Sequence, residues 1–186
     1  MILFWGCERE ENGTAASAGR KKGCVDMIRV NKILAHPLFT ENLDKNMAAE
    51  ADRRFCHHDL AHFLDVARIG YLIDLEEGQG ISKELIYGAA LLHDLGKHRQ
   101  YGEGIPHERT GASMAPGILL DCGFSQEEAK AVAAAILRHR DPQAAQELGL
   151  TGILYRADKA SRPCFGCAAE AECNWKQRKK NGHILY

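Results

Sequence analysis

Several things are missing from this chain, and each absence narrows its class. No apolar run approaches the eighteen or so residues that a bilayer-spanning helix needs. Residues 1–5 are apolar but too short for a signal-peptide core, and Cys7-Glu8-Arg9-Glu10-Glu11 follows at once. An excess of one charge sign is also missing. The 24 basic and 25 acidic residues leave a net charge of -1, which argues against an extended nucleic-acid or anionic-membrane surface. A local basic pocket stays open. No period-2 alternation is sustained, so strands are not expected. No internal repeat or second domain is visible. The chain is expected to be cytoplasmic, and its seven cysteines are then thiols or metal ligands rather than disulfides.

What is present is a helical pattern in a chain of one-domain length, 186 residues. Residues 1–26 are rich in Gly, Ala, Ser and charge and are expected to be a disordered leader. A start of translation at Met27 is an equal alternative. From Met27 the spacing predicts helices over 27–35, 38–54, 59–77, 83–95, 106–120, 125–139 and 147–161. His36-Pro37 and Asp141-Pro142 break the pattern, Pro116 is expected to bend the fifth helix, and Gly149 and Gly152 to interrupt the last. Ser82 is a candidate cap, and Ser125 with Glu128 has capping-box spacing. Residues 98–106 read as a polar loop. The fold class is all-α, a single helical bundle over 27–162 with a Cys-containing C-terminal extension, 163–186, packed on it.

The most informative residues are His93-Asp94, at the end of the apolar run 85–92 and just before Gly96 and Lys97. Two adjacent ligand-type side chains, delivered by a buried helix, suggest a hydrolytic metal centre. His62 shares a helical face with Val66, Ile69 and Ile73. His139 lies three after Ile136, and Asp158 four after Leu154. A bundle can aim one polar residue from each of several apolar faces at a shared centre. Imidazole and carboxylate suit zinc, iron, manganese, nickel or cobalt, and ligand type alone does not choose among them.

These segments reach a known family. His62 to Arg68, Ala89 to Lys97, and Tyr155 to Lys159 resemble the HD-domain superfamily of metal-dependent phosphohydrolases. The resemblance runs from about Phe55 to Arg162. His62 is preferred over His57 and His58 as the first ligand because it sits four before Val66-Ala67. His58 then becomes a substrate-facing candidate. The resemblance implies one ion on His62, His93, Asp94 and Asp158. His107 and His139 lie where the family's two-metal members carry further histidines, so it also implies a second ion shared through Asp94. Two divalent ions would activate a water for attack on phosphorus. Lys97, Lys159, Arg162, Arg138 and Arg140 are candidate phosphate contacts, with Lys97 and Lys159 preferred and Arg109 a weaker one. Asp65 is a candidate for orienting a histidine or moving a proton. His98 is a spare. The implied activity is hydrolysis of a small phosphorylated substrate, a nucleotide or dinucleoside polyphosphate. Two alternatives stay open: a mixed-valent di-iron oxygenase on the same ligand set, and a non-catalytic module stabilised by metal.

The tail carries a second constellation. Cys164 and Cys167 form a Cys-x2-Cys pair, and Cys173 follows. Three thiolates leave a tetrahedral site one ligand short, and Cys56 is the candidate fourth. The site would hold structural zinc or an iron–sulfur cluster, against the plainer reading of reduced thiols in a packed turn. Trp175 is expected to be a packing anchor, and residues 176–180 a solvated end.

Overall fold

The computed structural model describes residues 26–186, so the leader, Cys7 and Cys24 lie outside the described residues. Eight α-helices follow in order: α1 (Ile28–Leu34), α2 (Pro37–Ala49), α3 (Leu60–Glu77), α4 (Lys83–Leu92), α5 (Lys97–Glu103), α6 (His107–Asp121), α7 (Gln126–Arg138) and α8 (Gly149–Ala160). There is no strand among the described residues. α4 is the centre of the bundle, wrapped by α3, α7, α6 and α8. Its run from Ala89 to Leu92 is fully buried, as an all-apolar helix must be. α3 buries Phe63, Val66, Ala67, Gly70 and Ile73 against α4 and α8. Leu60, Leu64 and Tyr71 are half-buried beside that face.

Local chemistry explains the helix ends. The Asp59 side chain accepts from the His62 backbone N–H and starts α3, which fixes the first candidate ligand. The capping box at Ser125 forms, and Arg29 reaches from α1 to both Glu84 and Glu128. Ser82 precedes α4 without a side-chain cap.

Four expectations need correction. α4 ends at Leu92 rather than Leu95, so His93-Asp94 stand in the turn beyond it. Residues 97–103 are a helix, not a loop. That helix buries no residue, so no apolar stripe advertises it; Arg99–Glu103 pairing and the His98 backbone N–H, which donates to Asn46 Oδ1, hold it instead. α2 stops at Ala49, five residues early, because Glu50 turns inward to receive His58. α8 runs unbroken from Gly149 to Ala160, with no interruption at Gly152. The expected fifth helix forms as α6, with Pro116 inside it.

One close approach sets the site. A side chain at Gly111 of α6 would meet the carbonyl oxygens of Leu92 and His93 at 3.0 and 3.1 Å. Only glycine lets α6 lie this near the end of α4, which brings His107 up to Asp94.

Candidate metal centre

Six side chains from five places in the chain converge. His62 comes from the first turn of α3, His93 and Asp94 from the α4–α5 turn, His107 from the start of α6, His139 from the C-cap of α7, and Asp158 from α8. Ligand atoms of His62, His93, Asp94 and Asp158 lie within 4.8 Å of one another, and so do those of Asp94, His107 and His139. Asp94 belongs to both sets, with one oxygen facing each. Its Oδ2 is 3.3 Å from His93 Nε2 and 3.7 Å from His62 Nε2. Its Oδ1 is 2.8 Å from His107 Nε2 and 3.5 Å from His139 Nε2.

The outward nitrogens decide what the inward ones can do. His93 Nδ1 donates to the Ala90 carbonyl at 2.7 Å, and His139 Nδ1 to the Ile136 carbonyl at 2.6 Å. His107 Nδ1 donates to Gln100 Oε1 at 2.5 Å. His62 Nδ1 lies 3.3 Å from Ser161 Oγ, whose own hydrogen goes to the Asp158 carbonyl. Backbone carbonyls only accept, so the protons sit on Nδ1 and the Nε2 lone pairs point inward. His107 Nε2 and His139 Nε2 then face each other at 3.1 Å without a proton between them. The buried His62 Nε2, His93 Nε2 and Asp94 Oδ1 have no hydrogen-bond partner. Acceptors crowded this way repel unless cations lie among them, so the donor set fits divalent metal.

Charge follows the same logic. Burial alone would raise the Asp94 carboxyl, but His93 and Lys97 outweigh it and hold it well below the usual carboxylate range. Asp158 is likewise held low: burial opposes, and Lys159 with His93 prevails. Burial depresses His107 to about 4 against the pull of Asp94, so the ring is neutral at neutral pH. Both carboxylates and this imidazole are therefore in the form that binds metal.

A cavity of about 310 Å³ opens over the centre. Arg53, Lys97, Arg140, Lys159 and Arg162 line it, as do His58 and Tyr101. Lys97 Nζ stands 3.7 Å from Asp94 Oδ1, and Lys159 pairs with Asp158. Arg138 is not brought to this cavity. Its guanidinium is bound to Glu147 and Asp141 at 2.7 to 2.8 Å, pinning the end of α7. Asp65 is also absent from it: its side chain is 53% exposed, 3.5 Å from Arg68. Arg109 does not line it, and His98 turns to Asn46 Oδ1. Trp175, expected as a packing anchor, is half in solvent and lines the cavity, with Arg162 over its ring at 4.6 Å. Lys180 is not part of a solvated end; it donates to the Glu170 carbonyl and carboxylate.

Sequence reasoning missed Glu50. It is 2% exposed and accepts from the His58 backbone N–H, from His58 Nδ1 at 2.5 Å and from Tyr101 Oη at 2.6 Å. Burial opposes its ionisation, yet these donors hold it at about 2. His58 Nε2 is thereby aimed at Asp94 Oδ2, 3.7 Å away. Asn46 was missed too; its amide donates to the Asp94 carbonyl at 2.9 Å. A signal existed. Asn42 and Asn46 of α2 and Glu50 at its C-terminal cap recur every four residues, and all three are buried. A polar stripe turned inward must serve something polar.

Comparison with known proteins gives the family. A protein of Clostridium beijerinckii, described only as an uncharacterized protein, is 44% identical over 160 residues, 86% of this chain and 100% of that one. A crystal structure of a predicted HD superfamily hydrolase from an uncultured Thermotogales bacterium superposes with a TM-score of 0.53 at 28% identity, covering 81% of this chain and 86% of that one. The family model described as HD domain matches residues 59–162, from the cap of α3 to just past α8 and around every one of the six converging side chains. The chain belongs to the HD domain family.

Proposed function

We propose that this protein is a metal-dependent phosphohydrolase with a two-ion centre, acting on a small phosphorylated substrate such as a nucleotide or dinucleoside polyphosphate. The observation that carries the reading is Asp94, with one carboxylate oxygen toward each histidine set, beneath a cavity edged by five cations. His62, His93, Asp94 and Asp158 would hold one ion, and Asp94, His107 and His139 the other. Divalent ions held there supply Lewis acidity, which favours water as a nucleophile and offsets charge on phosphoryl oxygens. The chain's own side chains do the rest. Lys97, Lys159 and Arg162 present positive charge where phosphate oxygens gain negative charge. His58, oriented by Glu50, stands over the same centre and can take or give a proton at Nε2. Tyr101 and Trp175 offer aromatic faces beside the cations, which suits a base or ribose attached to the phosphate.

Cations around the ligand set favour phosphate over the oxygenase alternative. The test pairs metal analysis with turnover. Protein purified without a metal-binding tag should carry close to two ions at the His/Asp centre, fewer in His139→Ala, and release phosphate from a nucleotide panel. Oxygen uptake with no phosphate release would overturn the reading.

A further inference from the structure

A second cavity, of about 370 Å³, lies beside the first. Cys56, Cys164, Cys167 and Cys173 all line it. Cys56 stands in the loop between α2 and α3, and the other three belong to the tail, more than a hundred residues later. None is in a disulfide. Desolvation and the neighbouring Cys164 and Cys167 thiols push the Cys56 thiol up, which reflects how close these sulfurs stand. Arg54, Arg162 and Lys180 line the same space and would offset thiolate charge.

Spacing selects the ligand. One zinc ion with bonds of about 2.3 Å would draw four sulfurs to within about 3.8 Å of one another. Among the described residues, the donor groups gathered within 4.8 Å are the two His/Asp sets, and no three cysteine sulfurs are so gathered. That spacing is wider than one ion's donor shell. An iron–sulfur cluster uses each cysteine on a separate iron, with sulfide between the irons, and so takes thiols set farther apart than a single ion does.

The tail also needs such a staple. Its three 3-10 turns bury no residue, and Ala169 is its one buried apolar side chain. It is held by polar ties: Asn181 to the carbonyls of Lys159, Ala160 and Arg162, and Arg54 to Glu172. Segments without a core are commonly organised by metal or disulfide.

We propose that Cys56, Cys164, Cys167 and Cys173 bind a [4Fe–4S] cluster that fastens the tail to the loop before α3. The two cavities share Phe55, Cys56, His57, His62, Arg162 and Cys173 as a common wall. The cluster therefore holds Arg162 and Trp175 in place at the edge of the phosphohydrolase site.

The experiment is anaerobic reconstitution of the full chain with ferric iron, a thiol reductant that reduces part of it, and sulfide. Iron, acid-labile sulfide and visible absorption are then read. About four sulfides per chain and a broad visible charge-transfer band are expected. Sulfide should fall more than tenfold in Cys56→Ser and Cys167→Ser and stay unchanged in Cys122→Ser, with far-UV circular dichroism reporting the fold. His139→Ala should keep its sulfide while losing other metal, which separates this site from the His/Asp centre. Alkylation of wild type supplies a readout that needs no variant. The four cysteines should be protected in loaded protein and labelled once the cluster is removed. Zinc at one per chain without sulfide, lost in Cys167→Ser, would overturn the cluster in favour of a single ion. Four thiols that alkylate immediately, with no sulfide retained, would overturn the site altogether.

Discussion

The two cavities sit side by side and are built in opposite ways. The His/Asp centre takes its side chains from helix ends, and its imidazoles are locked by short bonds from Nδ1 to fixed acceptors. His93, Asp94, His107 and His139 are all buried. The Cys-lined cavity takes its side chains from a loop and an irregular tail, where Cys56 is exposed and the rest half-buried. The first is organised by the fold before any ligand arrives. The second has little to organise it except the ligand itself. A buried core can position side chains within fractions of an ångström, whereas a polar tail only brings them to the same neighbourhood.

The comparison can be broken most severely at Asp94. Asp94→Asn removes the carboxylate both ligand sets share. Turnover should fall on the order of a thousandfold or more, with loss of metal from both sets while the protein stays folded. Elemental analysis and phosphate release check this, and sulfide at the tail should not change. Glu50→Gln probes the support of the centre. Glu50 ionises at about 2 in the folded protein, below its ordinary value of 4.5. A depressed carboxyl contributes stability that is present above pH 4.5 and is lost as pH falls toward 2. The contribution is about 3 kcal/mol in order of magnitude. Urea midpoints measured across that window should drop in wild type and stay flatter in the variant.

Gly111→Ala forces α6 away from the Leu92 and His93 carbonyls. About 1–3 kcal/mol of stability should be lost, with weaker metal binding at His107 and His139. Denaturant unfolding and metal titration would show both. Asn181→Ala acts on the other region. It removes three donations to carbonyls at the end of α8, so about 1 kcal/mol or slightly more is expected, felt mainly as faster proteolysis of the tail. Metal at the His/Asp centre should be unchanged. Arg138→Ala should do least: kcat/KM within about twofold and stability within about 1 kcal/mol, because its partners are half-exposed carboxylates. A large loss of kcat would return Arg138 to the substrate site.

Legibility followed burial and period. Helices with an apolar face, such as α3, α4 and α7, were visible because burial imposes a 3.6-residue rhythm on sequence. α5 was not, because it buries nothing. His93-Asp94 stood out as polar residues closing an apolar run. Glu50 and Asn46 did not, because polar residues on a half-exposed helix look like surface until their direction is known. The cations divided for the same reason. Lys97, Arg138, Arg140 and Lys159 all lie within four residues of a converging side chain. A guanidinium reaches far enough that its partner depends on which carboxylates the fold places nearby; for Arg138 these are Glu147 and Asp141.

The sequence by itself determined that the chain is helical, which family it joins, and which histidines and aspartates are available as ligands. These rest on local pattern: the period of apolar residues and the identity of side chains at fixed spacing. Tertiary structure alone decided that Asp94 turns one oxygen to each histidine set, that Glu50 stands behind His58, and that a loop cysteine meets three tail cysteines more than a hundred residues away. These are matters of direction and of distance through space. They depend on how closely helices approach, as at Gly111, and spacing along a chain does not specify that.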